Sequence, residues 1–123
     1  MDGYLAIVLD NDSQGLLLKR VSPSYPKVYA HHVTVSFRPS VDVYDEFKAH
    51  LGEKIELRVC GYAKDERVET VVVETDILKG RLNHITVSTN NVAPFHSKAL
   101  VEKGYAQMAE PFVLQGTFEF IQH

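Results

Sequence analysis

Two tetrapeptides in the chain share one pattern, His-apolar-Thr-apolar: His32-Val33-Thr34-Val35 and His84-Ile85-Thr86-Val87. Histidine changes charge close to neutrality, so of two imidazoles in one site one can be neutral while the other is charged. Metal-free cleavage of a phosphodiester needs such a pair. One group deprotonates the attacking oxygen and the other protonates the leaving oxygen. A threonine hydroxyl two residues on can donate to a non-bridging phosphate oxygen, where charge builds in the transition state. His32, His84, Thr34 and Thr86 are therefore the candidate catalytic residues.

The pattern works only if each copy lies on a strand. Alternate strand residues share a face, which puts His32, Thr34 and Ser36 on one side and Val33, Val35 and Phe37 on the other. In the second copy His84, Thr86 and Ser88 share the polar face, with Ile85 and Val87 opposite. The surrounding sequence supports strands at both places. AHHVTVSF (30–37) and NHITVST (83–89) are β-rich and bounded by turn residues. Two such strands lying side by side would bring the His-Thr pairs into one groove.

Elsewhere, GYLAIVLD (3–10) alternates as an opening strand, and Asn11, Asp12 and Ser13 offer caps for a short helix over 14–21. The two prolines of SPSYPKVY (22–29) indicate a loop. In VDVYDEFKAHLG (41–52), Val43, Tyr44, Phe47 and Leu51 have helical spacing, with Asp42 as cap and Gly52 as stop. Residues 54–75 read as a hairpin turning at Lys64-Asp65-Glu66, residues 90–95 as a loop, 96–104 as a short helix and 114–122 as a closing strand. The order β-α-β-α-β-β-β-α-β predicts an α+β domain with mainly antiparallel sheet.

The chain's 123 residues, 45% of them apolar, suit a single domain spanning 1–123. A formal net charge of −3 argues against wrapping long nucleic acid by charge alone. It favours a short or small phosphorylated ligand. Cys60 is the only cysteine, which excludes an internal disulfide and a multi-cysteine zinc site and points to the cytoplasm. No apolar run approaches the ~20 residues that span a bilayer, so no membrane association is expected. The N-terminus has no basic region of the signal-peptide kind.

HHVTV and NHITV resemble the paired signature of the two-histidine phosphoesterases, which include RNA-end cyclic phosphodiesterases and ligase-like proteins. The segment Val92-Ala93-Pro94-Phe95-His96-Ser97 is similar to the substrate-side loop of the tRNA-ligase branch. The resemblance implies a bilobal fold with pseudo-twofold symmetry, each lobe giving one His-x-Thr strand to a central cleft. It also implies hydrolysis that uses no cofactor and no metal, with His32 and His84 as acid and base and Thr34 and Thr86 holding phosphate. The implied substrate is an RNA 2′,3′-cyclic phosphate end or a cyclic nucleotide, including cyclic oligonucleotide signals of the kind that phage enzymes degrade. A non-catalytic nucleotide or RNA-end binding module is a rival reading, as is a structural domain. The chain is expected to act as a monomer.

Tyr4, on the polar face of the first strand, and Tyr25, in the proline-rich loop, are candidates for stacking on a nucleobase, with Tyr29 comparable to Tyr25. Ser97, at the start of the helix after the second motif, is a candidate anion contact. Lys27 and Arg38 are solvated cations near the first motif. Strict alternation points His31 away from His32 and removes it from catalysis. A metal site drawing on His31, His32, His84 and His96 lacks any H-x-H or H-x-x-x-H spacing. Cys60 reads as packing.

Overall fold

A computed structural model of the chain describes residues 1–122. The elements are β1 (Gly3–Leu9), α1 (Asn11–Arg20), β2 (Lys27–Val28), β3 (His32–Phe37) and α2 (Val41–Phe47), which runs into a 3-10 turn at Lys48–His50. There follow β4 (Lys54–Lys64), β5 (Val68–Glu74), a 3-10 turn at Asp76–Leu78, β6 (Asn83–Thr89), α3 (His96–Lys103) and β7 (Ala106–Gln122). The class is α+β. Seven strands form one sheet in the order β2-β6-β5-β4-β7-β1-β3, and every pairing is antiparallel.

Most elements form where local pattern places them, and the differences have local causes. Ser40, not Asp42, caps α2, its Oγ accepting from the Val43 amide at 3.2 Å. At the start of α1, Ser13 Oγ accepts from the Gln115 amide at 2.8 Å and ties the helix to β7 instead of capping it. β2 lies inside the proline-rich stretch expected to be a loop. Its pairing of Lys27 with Thr89 and Val28 with Ser88 is a contact between distant segments that no local pattern carries. β7 begins at Ala106, well before residue 114. Pro111 hides the early part, and it is tolerated because the β4–β7 register jumps there from Val59–Phe112 to Gly61–Gln107.

One face of the sheet carries the main core. Leu5, Ile7, Leu57, Val71, Ile85, Leu114 and Phe118 are fully buried there, with Leu17 of α1 packed among them. Tyr44 and Phe47 of α2 close this core, their rings 5.8 Å from Phe120 and 5.9 Å from Phe118. On the opposite face, Val101 of α3 packs with Val72 and Ala63 in a smaller cluster. Among the described residues no helix is long and apolar enough to cross a membrane.

Candidate functional site

Both motifs fold as strands, with Val33, Val35, Ile85 and Val87 in the core. His32, His84 and Thr86 are half-buried on the other face, and Thr34 is exposed. The strand order puts β3 and β6 far apart along the sheet, each third from the β4–β7 seam. Curling of the sheet brings them together. The Tyr29 and Ala30 amides donate to the carbonyls of Val87 and Thr86, both at 2.9 Å, and the Leu9 amide donates to the His31 carbonyl at 2.9 Å. The residues leading into the first motif are thus bonded to the strand of the second. Farther along, the Arg81 guanidinium donates to the Val35 carbonyl at 2.6 Å and bridges the same gap.

Over this junction lies a cavity of about 280 Å³ lined by His32, Thr34, His84 and Thr86, together with Tyr4, Tyr29, His31, Phe37, Pro94 and Phe95. All four candidate catalytic residues therefore share one cavity. Its lining contains no carboxylate.

Alternation fails just past each threonine, for the same reason in both strands. In β3 the register shifts so that Ala6 faces Thr34 and Leu5 faces Ser36, leaving Val35 as the extra residue of a bulge. In β6, Thr70 faces Thr86 and Glu69 faces Ser88, leaving Val87 extra. A bulge reverses the facing of everything beyond it. Ser36 and Ser88 are thereby turned off the polar face expected for them. Ser88 is buried, and its Oγ donates to Glu69 Oε1 at 2.8 Å. Phe37, expected to pack on the core side, instead lines the cavity and is 61% exposed.

His31 also departs from the reading. Ala30 adopts φ +49°, so regular strand geometry begins only at His32 and the alternation that removed His31 does not apply. His31 lines the cavity, and its Nδ1 lies 3.0 Å from Nδ1 of His32. Such a contact requires one of the two nitrogens to carry a proton and donate it to the other.

Of the supporting candidates, Tyr4 lines the cavity with its ring 5.5 Å from that of His32. Tyr25 does not line it. Its hydroxyl donates to the Asp65 carbonyl, and its amide donates to Ser88 Oγ at 3.3 Å. Tyr29, from the same stretch, occupies the cavity wall. Ser97 is fully buried behind the wall, its Oγ 2.8 Å from Thr86 Oγ1, so it braces a candidate catalytic hydroxyl. Thr86 Oγ1 also lies 3.3 Å from the Pro94 carbonyl, which accepts from it. Phe95, 72% exposed at the rim, lies in the 92–97 segment likened to a substrate-side loop but was not singled out there as a site residue. It stacks on His96 at 4.4 Å, and its place in a loop gave no periodic signal.

Burial sets the electrostatics. Desolvation, then the nearby His31 and His84, lowers the His32 pKa from 6.5 to about 4. His84 is lowered as well, mainly by burial and then by Lys98, with Glu102 opposing. Both imidazoles are therefore neutral at pH 7. A bound phosphate anion works against each of these causes and favours the charged form.

Cys60 is half-buried beside the smaller cluster. Burial first, then Glu74, pushes its thiol pKa up, which suits packing better than nucleophilic attack. Among the described residues, no three His, Cys, Asp or Glu side chains are grouped to hold a metal ion. In comparisons with known proteins, no family model matches the chain and no curated protein matches its sequence.

Proposed function

We propose that this chain is a two-histidine phosphoesterase that opens a 2′,3′-cyclic phosphate, at an RNA end or on a small nucleotide, without a metal. The observation that carries the reading is the single cavity shared by both His-x-Thr pairs. Its donor set supports a metal-free route, because imidazoles and hydroxyls can hold and protonate a phosphate while no carboxylate is at hand for a divalent cation. The bilobal, pseudo-symmetric arrangement belongs to the same proposal. It is supported by the equal distance of β3 and β6 from the β4–β7 seam and by the matching bulges after Thr34 and Thr86.

In the reaction, neutral His32 takes a proton from water, and the water oxygen bonds to phosphorus. The bond from phosphorus to one ribose oxygen breaks, and protonated His84 donates its proton to that oxygen. The product is a ribose phosphate monoester, and solvent exchange restores both imidazoles. His32 takes the base role because it is the harder of the two to protonate. Thr34 donates to a non-bridging oxygen as its charge grows, and Thr86 does the same by turning its single proton from the Pro94 carbonyl to the phosphate. Phe37 and Phe95 at the rim, with Tyr4 and Tyr29 in the walls, offer faces on which a nucleobase can stack.

The test is turnover of 2′,3′-cyclic mononucleotides in EDTA, with products resolved by mass spectrometry. Wild type should hydrolyse them and the His32→Ala/His84→Ala variant should not. Turnover that appears only on adding a divalent metal, or that survives in the double variant, would overturn the mechanism. Saturable binding without turnover would move the assignment to a nucleotide-binding module.

A further inference from the structure

A second cavity adjoins the first. It has a volume of about 650 Å³ and lies between β2 and the loop that follows β6. Tyr29 and Pro94 line both cavities, so the two are neighbours that share a wall. We propose that this second cavity is a subsite for the neighbouring nucleotide of an oligonucleotide substrate, with Lys27 and Thr89 receiving its phosphate. The proposal rests on the two-histidine reading for which nucleotide occupies the first cavity. The second cavity and its polar lining stand without that reading.

Three features point to this ligand. The first is size. At about 280 Å³ the catalytic cavity falls just below the ~300–1,000 Å³ of small-molecule sites, whereas the neighbour at about 650 Å³ lies well inside that range. The cyclic phosphate and its sugar suit the smaller space, and a further nucleotide suits the larger.

The second feature is charge. Lys27 is exposed, its ammonium sits 5.6 Å from the centre of the Tyr29 ring, and it forms no ion pair with a described carboxylate. No carboxylate lines the cavity, so its one cation is unopposed within it.

The third feature is an orphaned polar atom. Thr89, in the cavity wall, is 1% exposed, and its buried hydroxyl has no hydrogen-bond partner among the described residues. Buried hydroxyls are nearly always bonded, and an exception calls for an explanation. A phosphate oxygen supplies that acceptor once the ligand displaces the wall that shuts the Thr89 hydroxyl off from the cavity. Asn90 and Asn91 beside it add amide donors and acceptors suited to a ribose.

The closing experiment compares kcat/KM for a linear dinucleotide ending in a 2′,3′-cyclic phosphate with that for the matching cyclic mononucleotide. A 3′,5′-cyclic dinucleotide serves as a further substrate. An occupied subsite should favour a dinucleotide by about tenfold or more, the scale of one stacked and contacted base. Lys27→Ala or Lys27→Glu should bring that ratio towards one and reduce the salt dependence of dinucleotide binding by about one unit of slope. Thr89→Val should lower the ratio too.

A gain with the linear substrate assigns the second cavity to an RNA end. A gain confined to the cyclic dinucleotide assigns it to a cyclic oligonucleotide, and either supports the subsite. Binding of the two product-like 2′-phosphates, measured by calorimetry, separates the two readings. Tighter binding of the dinucleotide that is lost in Lys27→Ala, without turnover of any substrate, keeps the subsite and discards the catalytic reading. Equal kcat/KM and equal affinity for mono- and dinucleotide, or a ratio untouched by Lys27→Glu, would overturn the subsite.

Discussion

The two His-x-Thr strands have the same motif, the same distance from the sheet's seam and the same bulge after the threonine, yet their surroundings differ. Thr86 is held from behind by Ser97 at 2.8 Å and reaches the Pro94 carbonyl at 3.3 Å. Thr34 is exposed, and its hydroxyl bonds no described residue. The histidines reverse this asymmetry. His32 is pinned by the His31 ring and flanked by Tyr4, while His84 sits between the opposing influences of Lys98 and Glu102. A duplicated motif therefore does not make duplicated environments. One half presents a hydroxyl fixed in place by protein partners, and the other presents an imidazole held strongly in its neutral form.

That comparison can be broken at several points. The largest effect should come from His32→Ala and His84→Ala, each losing about 10²–10⁴-fold in kcat while thermal unfolding stays cooperative. Retention of near-wild-type turnover in either variant would remove that histidine from the chemistry.

The threonines sharpen the contrast. Thr86→Val should cost about 10²-fold in kcat, the lower end for losing one fixed transition-state donor. Thr34→Val should cost less, because that hydroxyl must first be ordered by substrate. Ser97→Ala should slow turnover about 2- to 10-fold, the equivalent of one ordinary hydrogen bond. It should add nothing in a Thr86→Val background, a coupling that a double-mutant cycle reads directly. Equal losses at the two threonines would show that the bracing of Thr86 has no catalytic consequence.

The smallest effect is on pH dependence. A base works above its pKa and an acid works below its own, so the kcat/KM profile should rise near pH 4 with His32 and fall below pH 6.5 with His84. The pair titrates together, so these limbs belong to the couple. Removing His31 removes a charge that holds the His32 pKa down, and His31→Ala should shift the acid limb to higher pH. An unmoved limb would separate His31 from the titration of His32.

Much of this was legible in the sequence. The alternation of Leu5, Ile7 and Leu9 and the periodicity of Val43, Tyr44 and Phe47 report burial on one side of an element, which is a local property. The His-x-Thr pairs were visible for the same reason, being short and set among β-branched neighbours. The failures share a different cause. Ser36, Ser88 and Phe37 were placed by strict alternation, but bulges are set by the register of the partner strands β1 and β5. His31 was misplaced by the left-handed turn at Ala30, a conformation fixed where that buried alanine's amide bonds Thr86.

The sequence by itself determined the chemistry on offer: two imidazoles, two hydroxyls, the strands that carry them and the α+β class. Those depend on residue type and short-range period, which a chain displays before it folds. Only the tertiary structure decided that β3 and β6 meet, that Phe37 and His31 turn into the cavity with them, that Ser97 backs Thr86, and that Lys27 and Thr89 open a second space alongside. Each of these depends on which distant segments pair and in what register, and that is settled by closing the sheet around one shared core.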